Sequence, residues 1–163
     1  MRSRSFAFVT MLFALGCGPG SPVIGTWRYA LEATIPTATG PTKKMVTFDL
    51  DLAATASSDL VVWHVGGGCN VALPLVGKVA ALSSAAPLCG LAAGAVIPLI
   101  PETGTVVKDA DQLGVSAARF EVLDDGHLDT RFVYQLYTDL KNASIGPVIS
   151  ITTAAGTHGT HLK

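Results

Sequence analysis

An Asp-Gly step between two stretches of alternating polarity constrains this chain more than any other feature. Residues 115–123 and 128–137 flank Asp124-Asp125-Gly126-His127. In the second arm Leu128, Thr130, Phe132, Tyr134 and Leu136 fall on one side, with Asp129, Arg131, Val133 and Gln135 on the other. A period of two is that of a strand with one buried and one wet face, because successive Cβ atoms point to opposite sides of a sheet. An Asp-Gly pair between two such runs is the strongest short-range hairpin signal, since its glycine takes the positive φ a tight turn needs.

The same period recurs upstream. Over residues 23–34, Trp27, Tyr29, Leu31 and Ala33 share a face opposite Arg28 and Glu32, and Pro36 followed by Gly40-Pro41 ends the run. Over residues 44–52, Val46, Phe48, Leu50 and Leu52 alternate with Thr47, Asp49 and Asp51. These two strands are expected to pair as an antiparallel hairpin, each with one wet face. Residues 59–65 are apolar on both sides and read as a central strand, released by Gly66, Gly67 and Gly68. Residues 109–114 form a polar loop, 147–153 a last strand, and 156–163 a frayed tail. No stretch longer than about ten residues combines helical periodicity with caps. The expected fold is therefore all-β: a single small antiparallel barrel or sandwich of about eight strands.

The middle of the chain tests that reading. Between Lys78 and Glu102 lie 23 residues without a charge, enough to raise a membrane-spanning helix. Pro87 and Pro98 would break such a helix, and Ser83-Ser84 with the surrounding alanines and glycines lowers its hydrophobicity. Short buried strands over 70–82 and 88–100 fit better, interrupted at Pro74, Gly77, Pro87, Gly90, Gly94 and Pro98.

The N-terminus has a different character. Arg2 and Arg4 precede ten uncharged apolar residues, 6–15, a length suited to a secretory signal and too short to cross a bilayer as a helix. Small residues follow, then Cys17 and a Gly18-Pro19-Gly20 spacer. This stretch resembles the bacterial lipoprotein signal, with Ala14-Leu15-Gly16-Cys17 as its lipobox. Gly16 and Cys17 match the pattern, whereas Leu15 stands where a small residue is commoner and Ala14 where leucine is commoner. The resemblance implies cleavage before Cys17 and a diacyl or triacyl anchor, two or more chains being what makes such an anchor stable. Gly18 after the cysteine then implies sorting to the outer membrane of a bacterial cell envelope; the alternative is a secreted or periplasmic protein. The domain layout is a signal peptide over 1–16, a lipidated cysteine and spacer over 17–22, a β domain over 23–153, and a disordered tail over 154–163. The mature chain of 147 residues suffices for one core. Losing Arg2 and Arg4 leaves 9 basic against 12 acidic residues, net −3. That balance argues against a nucleic-acid partner, which calls for a basic patch.

With Cys17 taken by the lipobox, Cys69 and Cys89 remain as an even pair in an exported chain. A disulfide is expected, contributing on the order of 3 kcal/mol; two buried free thiols are the other possibility. Their spacing, with one nearby histidine, does not make a zinc set.

Gly25-Thr26-Trp27, opening the first strand, resembles the Gly-x-Trp signature of lipocalins and related calycins. The resemblance implies a barrel whose base is closed by Trp27, a second motif near Thr138-Asp139, a closing basic residue for which Arg131 is the candidate, and an apolar ligand met by Trp27, Phe132 and Tyr134. The simpler reading makes Trp27 the first core aromatic.

Other patterns carry less chemistry. His64-Val65-Gly66-Gly67-Gly68-Cys69 has the look of an oxyanion loop, but that chemistry needs a serine on a Gly-x-Ser-x-Gly elbow. Gly114-Val115-Ser116-Ala117-Ala118 lacks the last glycine and sits in a strand pattern. Asp109-Ala110-Asp111 opens like a calcium loop, yet Phe120 occupies the place of the bidentate acid, so a solvated turn is expected. His158 and His161 lie in a Gly/Thr-rich tail that supplies no fixed metal geometry. Asp49 with Asp51, and Asp124 with Asp125, lie on a wet strand face and in a turn. No catalytic or metal site and no cofactor beyond the lipid on Cys17 is expected. The expected function is a non-catalytic, lipid-anchored envelope protein that binds another protein or a polymer or serves structure; the alternative is a lipocalin-like carrier of a small apolar ligand.

Overall fold

The computed structural model describes residues 20–37, 39–138, 145–152 and 158–162. The signal over 1–16, Cys17, Asp139 and residues 153–157 lie outside the described residues. Within them the chain forms ten strands of one antiparallel sheet, so the all-β expectation holds. They are β1 (Gly25–Thr37), β2 (Gly40–Ala54), β3 (Leu60–Gly66), β4 (Cys69–Val76), β5 (Val79–Ala81), β6 (Cys89–Gly90), β7 (Gln112–Val122), β8 (Leu128–Tyr137), β9 (Ile145–Thr152) and β10 (Thr160–Leu162). Their order is β10-β1-β2-β3-β4-β5-β7-β8-β9, with β6 also pairing β7. Three of the ten span three residues or fewer, too short to show a period, which is why the sequence suggested about eight.

Both hairpins read from alternation are present. β1 pairs β2 from Gly25↔Leu52 to Thr37↔Gly40, and β7 pairs β8 around the Asp-Gly turn, where Gly126 has φ 82°. Trp27, Tyr29, Leu31 and Ala33 are buried, as are Leu128, Thr130, Phe132, Tyr134 and Leu136. The sheet folds on itself at the short β4–β5 link, Val76↔Val79, so that β1–β4 face β7–β8. Rings meet in the middle: Trp63 lies 5.1 Å from both Phe120 and Phe132, Phe48 packs edge-on to Phe132 at 6.2 Å, and Tyr29 stacks on Phe48 at 5.4 Å. Each such side chain contributes roughly 1.5–3 kcal/mol by leaving water. The strand ladder is not closed into a barrel, but Gly159 exchanges hydrogen bonds with Leu128 of β8 just before β10 pairs β1.

Two sequence expectations are corrected. The apolar run over 88–100 reads as strand in the sequence, but among its residues only Cys89–Gly90 is strand, and the chain from 91 to 111 is irregular apart from one 3-10 turn, Pro101–Thr103. Pro98 and Pro101 cannot donate to a ladder, and Leu99 is left-handed with φ 67°. The segment is apolar because Ile97, Leu99 and Ile100 are buried as a strap over the core. The tail is also corrected over its last described residues, since Thr160–Leu162 pairs with Thr26–Arg28 of β1. Among the described residues no helix is long and apolar enough to cross a membrane.

Candidate binding cleft

β2 runs for 15 residues and β3 for 7, so the two strands part company. Their pairing ends at Asp51↔His64, where a bulge between His64 and Gly66 leads into three glycines with positive φ. Gly66 needs to be glycine for a second reason: a Cβ there would meet the carbonyl oxygen of Val96 at 2.6 Å. Beyond that point β2 continues alone, and a cleft of about 500 Å³ opens between Met45–Asp49 of β2, the end of β3, and residues 96–102.

The far wall is held firmly. The Tyr134 hydroxyl donates to the carbonyl of Pro98, and Ile97 and Ile100 are buried on either side of left-handed Leu99. A non-glycine residue at positive φ persists only where its surroundings fix it, which these contacts do. Met45 and Val96, each 72% exposed, stand on opposite sides of the opening.

Charges around the cleft are paired within the protein. Arg28 forms a two-pronged bond to Asp49 at 2.8 Å, Lys43 reaches Glu32 at 2.8 Å, Lys44 reaches Glu102 at 2.9 Å, and His64 Nδ1 lies 2.6 Å from Asp51. The hydrogen bond from Arg28 holds the Asp49 carboxyl below the usual carboxylate range, and Asp49 in turn raises Arg28. Glu32 raises Lys43 by the same means.

The residues singled out by sequence are dispersed. Cys69 and Cys89 are bonded, with Cα atoms 5.5 Å apart, clamping residues 82–89 beside β4, where a second, uncharged cleft of about 530 Å³ lies. Trp27 is buried, donates through Nε1 to Val23 at 3.0 Å, and meets the ring of His161 at 4.8 Å. Arg131 is exposed on the opposite face of β8 from the core, so the side chain packed on Trp27 comes instead from β10. Phe132 and Tyr134 stack on each other at 5.5 Å inside the core. With the interior filled by these rings, a small apolar ligand would have to lie in a surface cleft.

His64 is paired to Asp51, Gly66–Gly68 form a turn, and Ser116 sits exposed at a β7 bulge, its Oγ 3.4 Å from the carbonyl of Val133. The turn containing Asp109 and Asp111 differs from the solvated one expected: Asp111 is 3% exposed and accepts from the Lys108 amide at 2.7 Å. Asp125, beside His127, is held below the usual carboxylate range chiefly by the His127 amide. Among the described residues no group of three His, Cys, Asp or Glu side chains is placed to hold a metal ion.

Alternation along β2 marks its two faces, but only the early turn at Gly66–Gly68 hints that its edge is left open. No protein-family model, no curated protein and no solved structure matches this chain.

Proposed function

We propose that the protein is a non-catalytic, lipid-anchored component of a bacterial cell envelope that holds a partner in the cleft beside β2. The observation that carries this reading is a separation of ends. Ser21 donates to the carbonyl of Gly77 at 3.2 Å, so the described chain starts beside the β4–β5 turn. Only three residues, Gly18-Pro19-Gly20, separate Ser21 from Cys17, so the four steps between them reach at most about 14 Å. A lipid on Cys17 would therefore bring the end bearing the 55–59, 77–78 and 124–127 turns close to the bilayer surface. Met45 lies seven residues along β2 from Leu52, roughly 23 Å away, which directs the cleft toward the other end.

The test is metabolic labelling with a fatty acid combined with vesicle flotation. The intact protein should incorporate label and float, and Cys17→Ala should do neither. Labelling or flotation undiminished in Cys17→Ala would overturn the anchor.

A further inference from the structure

We propose that the cleft binds an extended, uncharged peptide segment of a partner by adding it as a strand to the free edge of β2. This rests on the cleft being the partner-binding site and does not depend on the lipid.

The argument starts from the β1–β2 register. Pro36 faces Pro41 and neither has an N–H to give, so theirs is a non-hydrogen-bonded pair. Bonded and non-bonded pairs alternate along an antiparallel ladder, which makes the even-numbered residues of β2 the ones bonded to β1. The odd-numbered residues turn their N–H and C=O groups to the other edge. At Asp51 and Ala53 those groups meet His64 and Val62 of β3. At Lys43, Met45, Thr47 and Asp49 no strand lies alongside among the described residues, nor does any backbone hydrogen bond leave this edge. Donors and acceptors repeating every second residue over about 20 Å complement one thing well, another extended chain.

The surroundings select which chain. Residues 96–99 stand opposite the edge as a fixed wall, so the space suits one strand in line with β3 rather than the edge of a second sheet. The neighbouring charges already have partners, and a charged residue entering here would lose water without gaining a counter-ion. Met45 and Val96 offer apolar contact at the mouth. Pro41, on the same edge nearer the turn, cannot donate, and so limits the accessible edge to the part beside the cleft.

The experiment uses the full-length mature protein in detergent and a fluorescein-labelled, end-blocked heptapeptide, Thr-Val-Thr-Val-Thr-Val-Thr, followed by fluorescence anisotropy. Saturable binding is expected. It should weaken by about tenfold or more when alternate peptide amides are N-methylated, because two or three main-chain bonds are lost. Thr47→Pro should weaken it similarly, and the hairpin already accommodates Pro41 on that edge. Bound peptide should newly protect the amides of Met45 and Thr47 from hydrogen exchange. Equal binding of plain and N-methylated peptides would overturn strand addition and leave the cleft as a side-chain-recognising site. Absence of saturable binding would overturn both. The N-methylated peptide requires no altered protein, so the result stands whether or not Thr47→Pro folds.

Discussion

The hydroxyl of Tyr29 lies 2.7 Å from Oγ1 of Thr130, joining β1 to β8 across 101 residues of sequence, and it donates to the carbonyl of Leu128 at 2.7 Å. The two strands are far apart in the order of the sheet, so this buried contact links its halves beside the single backbone bridge of Leu128 to Gly159. Tyr29→Phe removes the hydroxyl but leaves the Leu128 carbonyl its second donor, the Gly159 amide at 3.0 Å. The expected loss is therefore about 1 kcal/mol, not the larger penalty of an orphaned buried acceptor. Urea denaturation of the two proteins, with unchanged m-values, would measure it.

Gly159 faces that same ring. A Cβ at this position would overlap the Tyr29 ring and its hydroxyl, and a ring held by stacking on Phe48 cannot swing aside. Gly159→Ala should destabilise by about 1–3 kcal/mol, the usual cost of overpacking a core. In a Tyr29→Ala background the same change should cost far less. A double-mutant cycle showing additive effects would refute the clash.

The Cys69–Cys89 bond closes a loop of 20 residues containing two prolines and most of the second cleft. Reduction, or Cys69→Ala with Cys89→Ala, should lower stability by about 3 kcal/mol through the freedom restored to the unfolded chain. Thermal melts with and without reductant provide the check, and a shift of the melting temperature is expected for the parent but not for the double variant.

Burial pushes the hydroxyls of Tyr29 and Tyr134 well above the usual phenol range. A raised folded-state value means the folded state keeps its proton when the unfolded state would release it. Stability from these groups is thus fully present below about pH 10 and falls as pH rises beyond that. Phenolate absorbance from Tyr29 and Tyr134 should appear only together with loss of the near-ultraviolet dichroism of the folded core. Reversible ionisation of either group in the intact fold would contradict their burial.

Much of the architecture could be read locally. The inward set on β8, from Leu128 to Leu136, and the set on β1, from Trp27 to Ala33, follow from a two-residue period, which depends only on the geometry of an extended chain. The Asp-Gly hairpin and the disulfide pair were legible for the same reason: turn chemistry and cysteine arithmetic need no knowledge of distant neighbours. Residues 91–111 were not. Their apolar content fits a buried strand and a buried strap equally well, and periodicity cannot tell the two apart. Thr160–Leu162 was missed because a three-residue strand has no pattern of its own and becomes ordered by pairing with Thr26–Arg28.

The amino-acid sequence by itself determined that this chain forms strands, which faces of β1, β2 and β8 are buried, and that Cys69 and Cys89 are left as an even pair. Tertiary structure alone decided which strands other than the two hairpin pairs lie side by side, that His161 instead of Arg131 packs on Trp27, and that β2 outruns β3 to leave an edge open beside residues 96–99. The reason is physical: alternation and turn preference act between near neighbours, whereas an open edge exists only when every other strand has been placed and none has come to cover it.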